Sequence, residues 1–161
     1  MEYLGPKLKI RKLKPFCKDF LPKNGFLKVE FKDIIDGDTA YFKINGFTES
    51  VRFMVVDAPQ IYPTIVDFGI EAKEFACNIL KNAKEIYLES DKYNNLYDDT
   101  LNKRLLAWVW VDGKLLNYLL VKEGLATNKY IINQKMKYLK YLDEALKYAS
   151  ENKLGIHNIN K

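Results

Sequence analysis

At 161 residues, with 48% hydrophobic and 29% charged side chains, the chain fits one globular domain and excludes both a disordered tract and two full domains. Its two cysteines, Cys17 and Cys77, lack metal or redox spacing, and no run approaches the roughly 20 apolar residues of a membrane span or the apolar core of a signal peptide. The net charge of +5 is unevenly placed: residues 1–32 hold nine Lys or Arg against three acidic residues, a net +6, while the remainder stands at −1. A basic segment leading into a near-neutral domain suits a polyanionic partner through counterion release, and a merely solvated lysine arm explains the same charges.

Residues 1–24 mix lysines with Gly5, Pro6, Pro15 and Pro22 and show little periodicity, so they read as a basic lead-in, with the domain proper over 25–161. From Phe26 to Ile35, apolar residues alternate with charged ones, a strand pattern that Asp36-Gly37-Asp38 interrupts. Thr39 to Ile44 resumes as a second strand, Asn45-Gly46 is a two-residue hairpin turn, and Thr48 to Val56 makes a third strand that Pro59 must end. A loop with Pro63 follows over 61–67. Phe68 to Asn82 then carries apolar residues at helical spacing, with Glu71 and Glu74 suited to a helix N-terminus and Cys77 as a half-buried thiol.

Lys84 to Ser90 reads as a fourth strand, and the polar, Asn- and Asp-rich run 91–103 as a flexible loop. Arg104 opens a fifth strand through Val111, which Asp112-Gly113 closes. Leu115 to Glu123 is a short helix stopped by Gly124, and a longer helix runs from about Gln134 to Asn152. Five strands and three helices predict an α+β, mainly β architecture, a small barrel flanked by helices.

Chemistry concentrates around Asp36-Gly37-Asp38-Thr39 and Arg52-Phe53-Met54-Val55-Val56-Asp57-Ala58-Pro59-Gln60. Carboxylates at turns grip a hard cation through oxygen, and an arginine forks onto phosphate. An aspartate turn and a surface arginine paired to a carboxylate are each common structural features, so neither is diagnostic alone. Their order is more specific. Asp-Gly-Asp-Thr is followed by Arg-x-x-x-Val-Asp-x-Pro, by Phe-Gly-x-Glu-Ala at a helix start, by Arg-x-x-Ala, by Asp-Gly-Lys and by Glu-Gly-Leu-Ala.

Over roughly residues 25–157 this series resembles the staphylococcal nuclease, or thermonuclease-like, family. The resemblance implies a five-stranded oligonucleotide-binding (OB-fold) barrel with three helices and Ca²⁺-dependent hydrolysis of DNA and RNA phosphodiesters. It implies that Asp38 and Asp57 ligate calcium with the Ala58 backbone carbonyl, where the family usually has threonine. Arg52 and Arg104 match the two arginines that hold the scissile phosphate, where fixed guanidinium donors stabilise developing charge. Tyr130 matches a tyrosine that stacks near the bound base.

Gln60 is the main departure, standing where the family carries the glutamate assigned as general base. A glutamine amide orients water but does not take up a proton near neutral pH, so reduced activity is expected, with a loop carboxylate such as Asp67 as a stand-in. Leu101, Asn102 and Ile132 replace a lysine and two tyrosines of the family, with Tyr62 or Tyr97 as substitute stacking groups. Asp36 is read as shaping its turn, and His157 as structural or without a role.

The resemblance implies a calcium-dependent nuclease, a monomer acting on DNA, RNA or both, with catalytic Arg52, Gln60 and Arg104. Family habit points to an extracellular or cell-surface location. Two alternatives stay open: a catalytically inactive nucleic-acid- or protein-binding module on the same fold, favoured by Gln60, and a barrel with a metal-free structural role.

Overall fold

The computed structural model describes residues 2–9, 25–93, 97–101 and 103–158. The alternation after Gly25 forms β1 (Phe26–Asp36), long enough to serve two neighbours. Its first part, Phe26 to Val29, pairs antiparallel with β5 (Ile86–Glu89), and its second, Glu30 to Asp36, pairs with β2 (Thr39–Ile44). Register shifts between Phe31 and Asp33 and between Ile34 and Asp36 bend the strand so that one segment can belong to both halves of a barrel. Asn45 and Gly46 both take positive φ and turn the chain from β2 into β3 (Phe47–Phe53).

Closure comes from the far side. β6 (Leu105–Val111) runs antiparallel to β5 and parallel to β3, with Val51, Arg52 and Phe53 opposite Leu105, Leu106 and Ala107. The result is a closed five-stranded mixed barrel with three helices, an α+β fold of the OB type. All of β6 except the half-buried Leu106 is buried, so both of its faces are covered. Phe42, Phe53, Leu88 and Leu105 are among the fully buried core side chains, as are Trp108 and Trp110. The ring of Tyr138 meets both tryptophans edge-on, each at 5.2 Å between centroids.

The helices cover the barrel with narrow apolar stripes. α1 (Gly69–Lys81) buries Ala72, Ala76 and Leu80 and packs on β1. α2 (Leu116–Lys122) is buried over most of its length between β6 and α3 (Leu139–Glu151), which contributes Leu142, Ala145 and Ala149. Gly124 ends α2 with φ 72°, as its position predicts. Among the described residues no helix is long and apolar enough to cross a membrane.

Two expected elements differ. The third strand does not continue to Val56: it ends at Phe53, the chain turns at Met54 and Val55, and a separate pair, β4 (Val56–Asp57), leaves the barrel to meet β8 (Thr127–Asn128). Val55 has φ 72°, a costly conformation for a β-branched residue, and buried Asn117 holds the bend by donating to Met54 O at 2.9 Å. β7 (Lys114–Leu115), a short hairpin partner of β6, leads directly into α2.

The last helix starts at Leu139, not Gln134. Residues 134–138 are turns because their polar groups are spent on the barrel: Lys137 N–H donates to Asp91 Oδ2, Lys137 Nζ to Glu89 Oε2, and Tyr138 Oη to Glu89 Oε1. Within the stretch read as a lead-in, residues 2–9 lie against the domain. Lys7 bridges Lys114, and Tyr3 Oη donates to Pro6 O while accepting from Leu115 N. Cys77 is a free, half-buried thiol, while Cys17 and Asn102 lie outside the described residues.

Candidate active site

One cavity of about 330 Å³ opens where β3, β4 and the start of β6 meet the turn after β1. Asp38, Arg52, Asp57, Ala58, Gln60, Arg104 and Tyr130 all line it, so the fold brings these seven expected site residues to one place. Asp36, Tyr97 and Ile132 line it too. Asp67 instead borders a neighbouring groove with Phe68 and Ile156, so it does not stand in for position 60 from within this cavity. Tyr62, 83% exposed, and His157 are likewise absent from the lining.

Asp38 is buried at the corner between β1 and β2 because Gly37 packs tightly. A Cβ at Gly37 would lie 2.7 Å from Ala72 Cβ on α1 and 2.8 Å from Ala58 Cβ. This close approach lets Ala58 N–H donate to Asp38 Oδ2 at 2.8 Å, while Thr39 Oγ1 donates to Oδ1 at 2.9 Å. Asp36, one turn position earlier, accepts from Asp38 N–H, which fits its expected role in shaping the turn. Gly69 plays the same spatial part at the start of α1: a Cβ there would come within 2.6 Å of Gln60 O.

Arg52 is clamped rather than free. Its Nη1 donates to Phe53 O at 2.9 Å and Val56 O at 2.7 Å, across the bend that separates β3 from β4. Its Nη2 stands 3.4 Å from Asp38 Oδ2 and 3.7 Å from Asp57 Oδ1, so both carboxylates surround one guanidinium nitrogen. Asp57 also faces Lys129 Nζ at 3.8 Å. Arg104 is held from the other side: Nε donates to Asp98 Oδ2 at 2.7 Å and Nη1 to Thr39 Oγ1 at 3.4 Å, leaving Nη2 without a partner among the described residues. Thr39 thereby links Arg104 to Asp38.

Tyr130 is carried in by the small β4–β8 sheet and by Lys129 N–H on Val55 O at 2.5 Å. Its φ of 58° is uncommon for a large residue. Its ring, 65% exposed, lies 5.8 Å from the Arg52 guanidinium carbon and 5.1 Å from Lys129 Nζ.

Burial pushes the Asp38 carboxyl up to about 7, against the pull of Arg52 and with Asp36 adding to the rise. Asp98 behaves oppositely: burial works to raise it, but hydrogen bonds from Thr100 and Arg104 and the Arg104 charge outweigh that and hold it below its ordinary 3.8.

The donor chemistry fits a hard cation. The cavity offers carboxylate oxygen and neither His nor Cys, the donor type a hard cation takes. Among the described residues, no three His, Cys, Asp or Glu side chains form a metal-holding group, so two carboxylates, a backbone carbonyl and water are what the protein can provide.

The sequence singles out neither Asp98, Asp99 and Thr100, which fall in the run read as flexible loop, nor Asn117, which falls within the short helix. Nothing linear says which Asp of an Asp-rich run pairs with an arginine six residues on. Asn117 sits near an N-terminus where an Asn is ordinary.

Residues 50–158 match the family model described as "Staphylococcal nuclease homologue". The chain is 33% identical over 135 residues to the SPbeta prophage-derived endonuclease YokF of Bacillus subtilis, covering 78% of this chain and 42% of that protein. It is 35% identical over 131 residues to endonuclease YncB of the same organism, covering 76% and 57%. It is 33% identical over 126 residues to the thermonuclease of Staphylococcus hyicus, covering 76% and 71%. The chain therefore spans about half the length of the two Bacillus relatives.

Proposed function

The chain belongs to the staphylococcal nuclease family, and from that premise we propose that it hydrolyses phosphodiester bonds of DNA, RNA or both with calcium as its metal. The observation that carries this reading is the convergence of two aspartates and two clamped arginines on one cavity.

In this reading Asp38, Asp57 and the Ala58 carbonyl hold the ion. When bound, calcium neutralises phosphate charge and draws electron density from the scissile bond. Arg52 and Arg104 hold the phosphoryl oxygens, and because each guanidinium is already fixed by protein partners, little reorganisation is needed as charge develops. Tyr130 presents its exposed face to a base beside the phosphate. The Gln60 amide, exposed at the cavity wall, orients the attacking water.

Cleavage of plasmid and single-stranded oligonucleotide, in Ca²⁺ or in chelator, tests this with wild type and Arg104→Ala. Expected are calcium-dependent cleavage and a loss of about 10²- to 10³-fold in kcat for Arg104→Ala, the usual effect of deleting one fixed charge-stabilising donor. Gln60 favours a second reading, a binding module without catalysis. Chelator-insensitive nucleic-acid binding with no cleavage would establish that reading in place of the first.

A further inference from the structure

Five carboxylates line the cavity: Asp36, Asp38, Asp57, Asp98 and Asp99. Four are committed. Asp36 accepts from Asp38 N–H, Asp38 is held by Thr39, Ala58 and Arg52, and Asp57 lies between Arg52 and Lys129. Asp98 accepts from Arg104 Nε at 2.7 Å, from Thr100 Oγ1 at 2.6 Å and from Thr100 and Arg104 N–H, both at 3.2 Å. Asp99 alone has neither a hydrogen bond nor an ion pair among the described residues, and it is exposed.

The position of Asp99 is nevertheless determined. Asp98 N–H donates to Arg104 O at 2.9 Å and Lys103 N–H to Thr100 O at 3.1 Å, so the segment around Asp99 is folded back onto the start of β6. Asp99 directly follows Asp98, the residue whose carboxylate holds Arg104, a group proposed to hold the phosphate. The wall formed by Gln60 has no proton acceptor, whereas the wall formed by residues 98–100 has a free one.

We propose that Asp99 is the general base, an inference that rests on the nuclease reading above. As the water oxygen bonds to phosphorus, one water proton passes to the Asp99 carboxylate and one phosphorus–oxygen ester bond breaks. The proton then returns from Asp99 to the departing alkoxide or to bulk water, so the overall change is addition of one water across the ester. Gln60 orients that water and Asp99 accepts its proton, dividing between two walls of the cavity the tasks that one carboxylate at position 60 would combine.

Four proteins decide the matter: wild type, Asp99→Asn, Gln60→Glu and the double variant, compared in single-turnover cleavage of a defined oligonucleotide with Ca²⁺. Binding of that oligonucleotide and thermal melting are measured alongside. Expected for Asp99→Asn is a loss of about 10²-fold or more in rate, with binding and melting temperature unchanged. Gln60→Glu restores most of the rate lost in the Asp99→Asn background, the non-additivity of two groups able to serve one step. Equal cleavage by wild type and Asp99→Asn would overturn Asp99 as base and leave the nuclease reading standing. Loss of activity that tracks lost binding or melting, without rescue by Gln60→Glu, would also overturn it. Absence of cleavage by wild type under every condition overturns both.

Discussion

Asp38, Arg52 and Arg104 are each held by groups that carry no proposed chemical role. Arg52 spends Nη1 on two carbonyls of a strained bend, and Asp38 is buried with hydrogen bonds on both oxygens. The burial of Asp38 has a measurable consequence. With no divalent ion bound, the Asp38 carboxyl retains a proton in the folded chain up to about pH 7, whereas an unfolded aspartate releases it near 3.8. A carboxyl raised in the fold contributes stability that is fully present below pH 4 and lost as pH rises through 7. On the proposed assignment of Asp38 as a ligand, a cation would replace that proton, so calcium is expected to raise the melting temperature more at pH 8 than at pH 5. Thermal melts in Ca²⁺ and in chelator at the two pH values check this; an equal rise at both would exclude Asp38 as a ligand. The order of the motifs, and the family resemblance it carries, singled out these aspartates and arginines. The commitments of Asp98 and Asn117 were hidden because their partners lie on other segments.

Among the elements, one of the two that departed from expectation builds the site, and the other fastens the last helix to the barrel. A β3 continuing straight to Val56 would have left Asp57 on the barrel; the break at Met54 and Val55 sends it to β8, which also positions Tyr130. The turns at 134–138 replace a helical start because buried Glu89 and Asp91 recruit Lys137 and Tyr138, with Trp110 Nε1 and Trp108 Nε1 also donating to these two carboxylates. Glu89→Ala removes the carboxylate that accepts from Trp110 Nε1 and Tyr138 Oη. A loss of about 3 kcal/mol in unfolding free energy is expected, read by urea denaturation, with the larger share of the penalty arising from the buried donors and not from Lys137, which can turn to solvent. A loss under about 1 kcal/mol would show that the network is not what fastens this turn. Helical periodicity at 134–138 was a real pattern, overridden by tertiary hydrogen bonds that no local window contains.

For the molecule as a whole, one contiguous core joins the barrel to all three helices. Trp108 and Trp110 are fully buried where β6 meets Tyr138, so their fluorescence reports that junction, while far-UV circular dichroism reports the helices and sheet together. Denaturation curves from the two probes are expected to coincide, as for a single cooperative unit. Separate midpoints would divide the barrel from its helices. Charge at this scale is asymmetric in sequence, but the cavity itself mixes five carboxylates with two arginines, so the proposed phosphate recognition calls on fixed donors more than on bulk positive potential.

By itself, the order of hydrophobic periods, turn residues and motifs determined a mainly β barrel with three helices. It also named the residues that meet in one cavity, because strand alternation, Asn45-Gly46 and the spacing of Asp38, Arg52, Asp57 and Arg104 are local facts. Only the tertiary structure decided where the third strand breaks, where the last helix begins, which aspartate holds Arg104 and which is left unpaired. Those outcomes depend on contacts between segments far apart in the chain, such as Asn117 with Met54 and Lys137 with Glu89, whose energies outweigh local propensity.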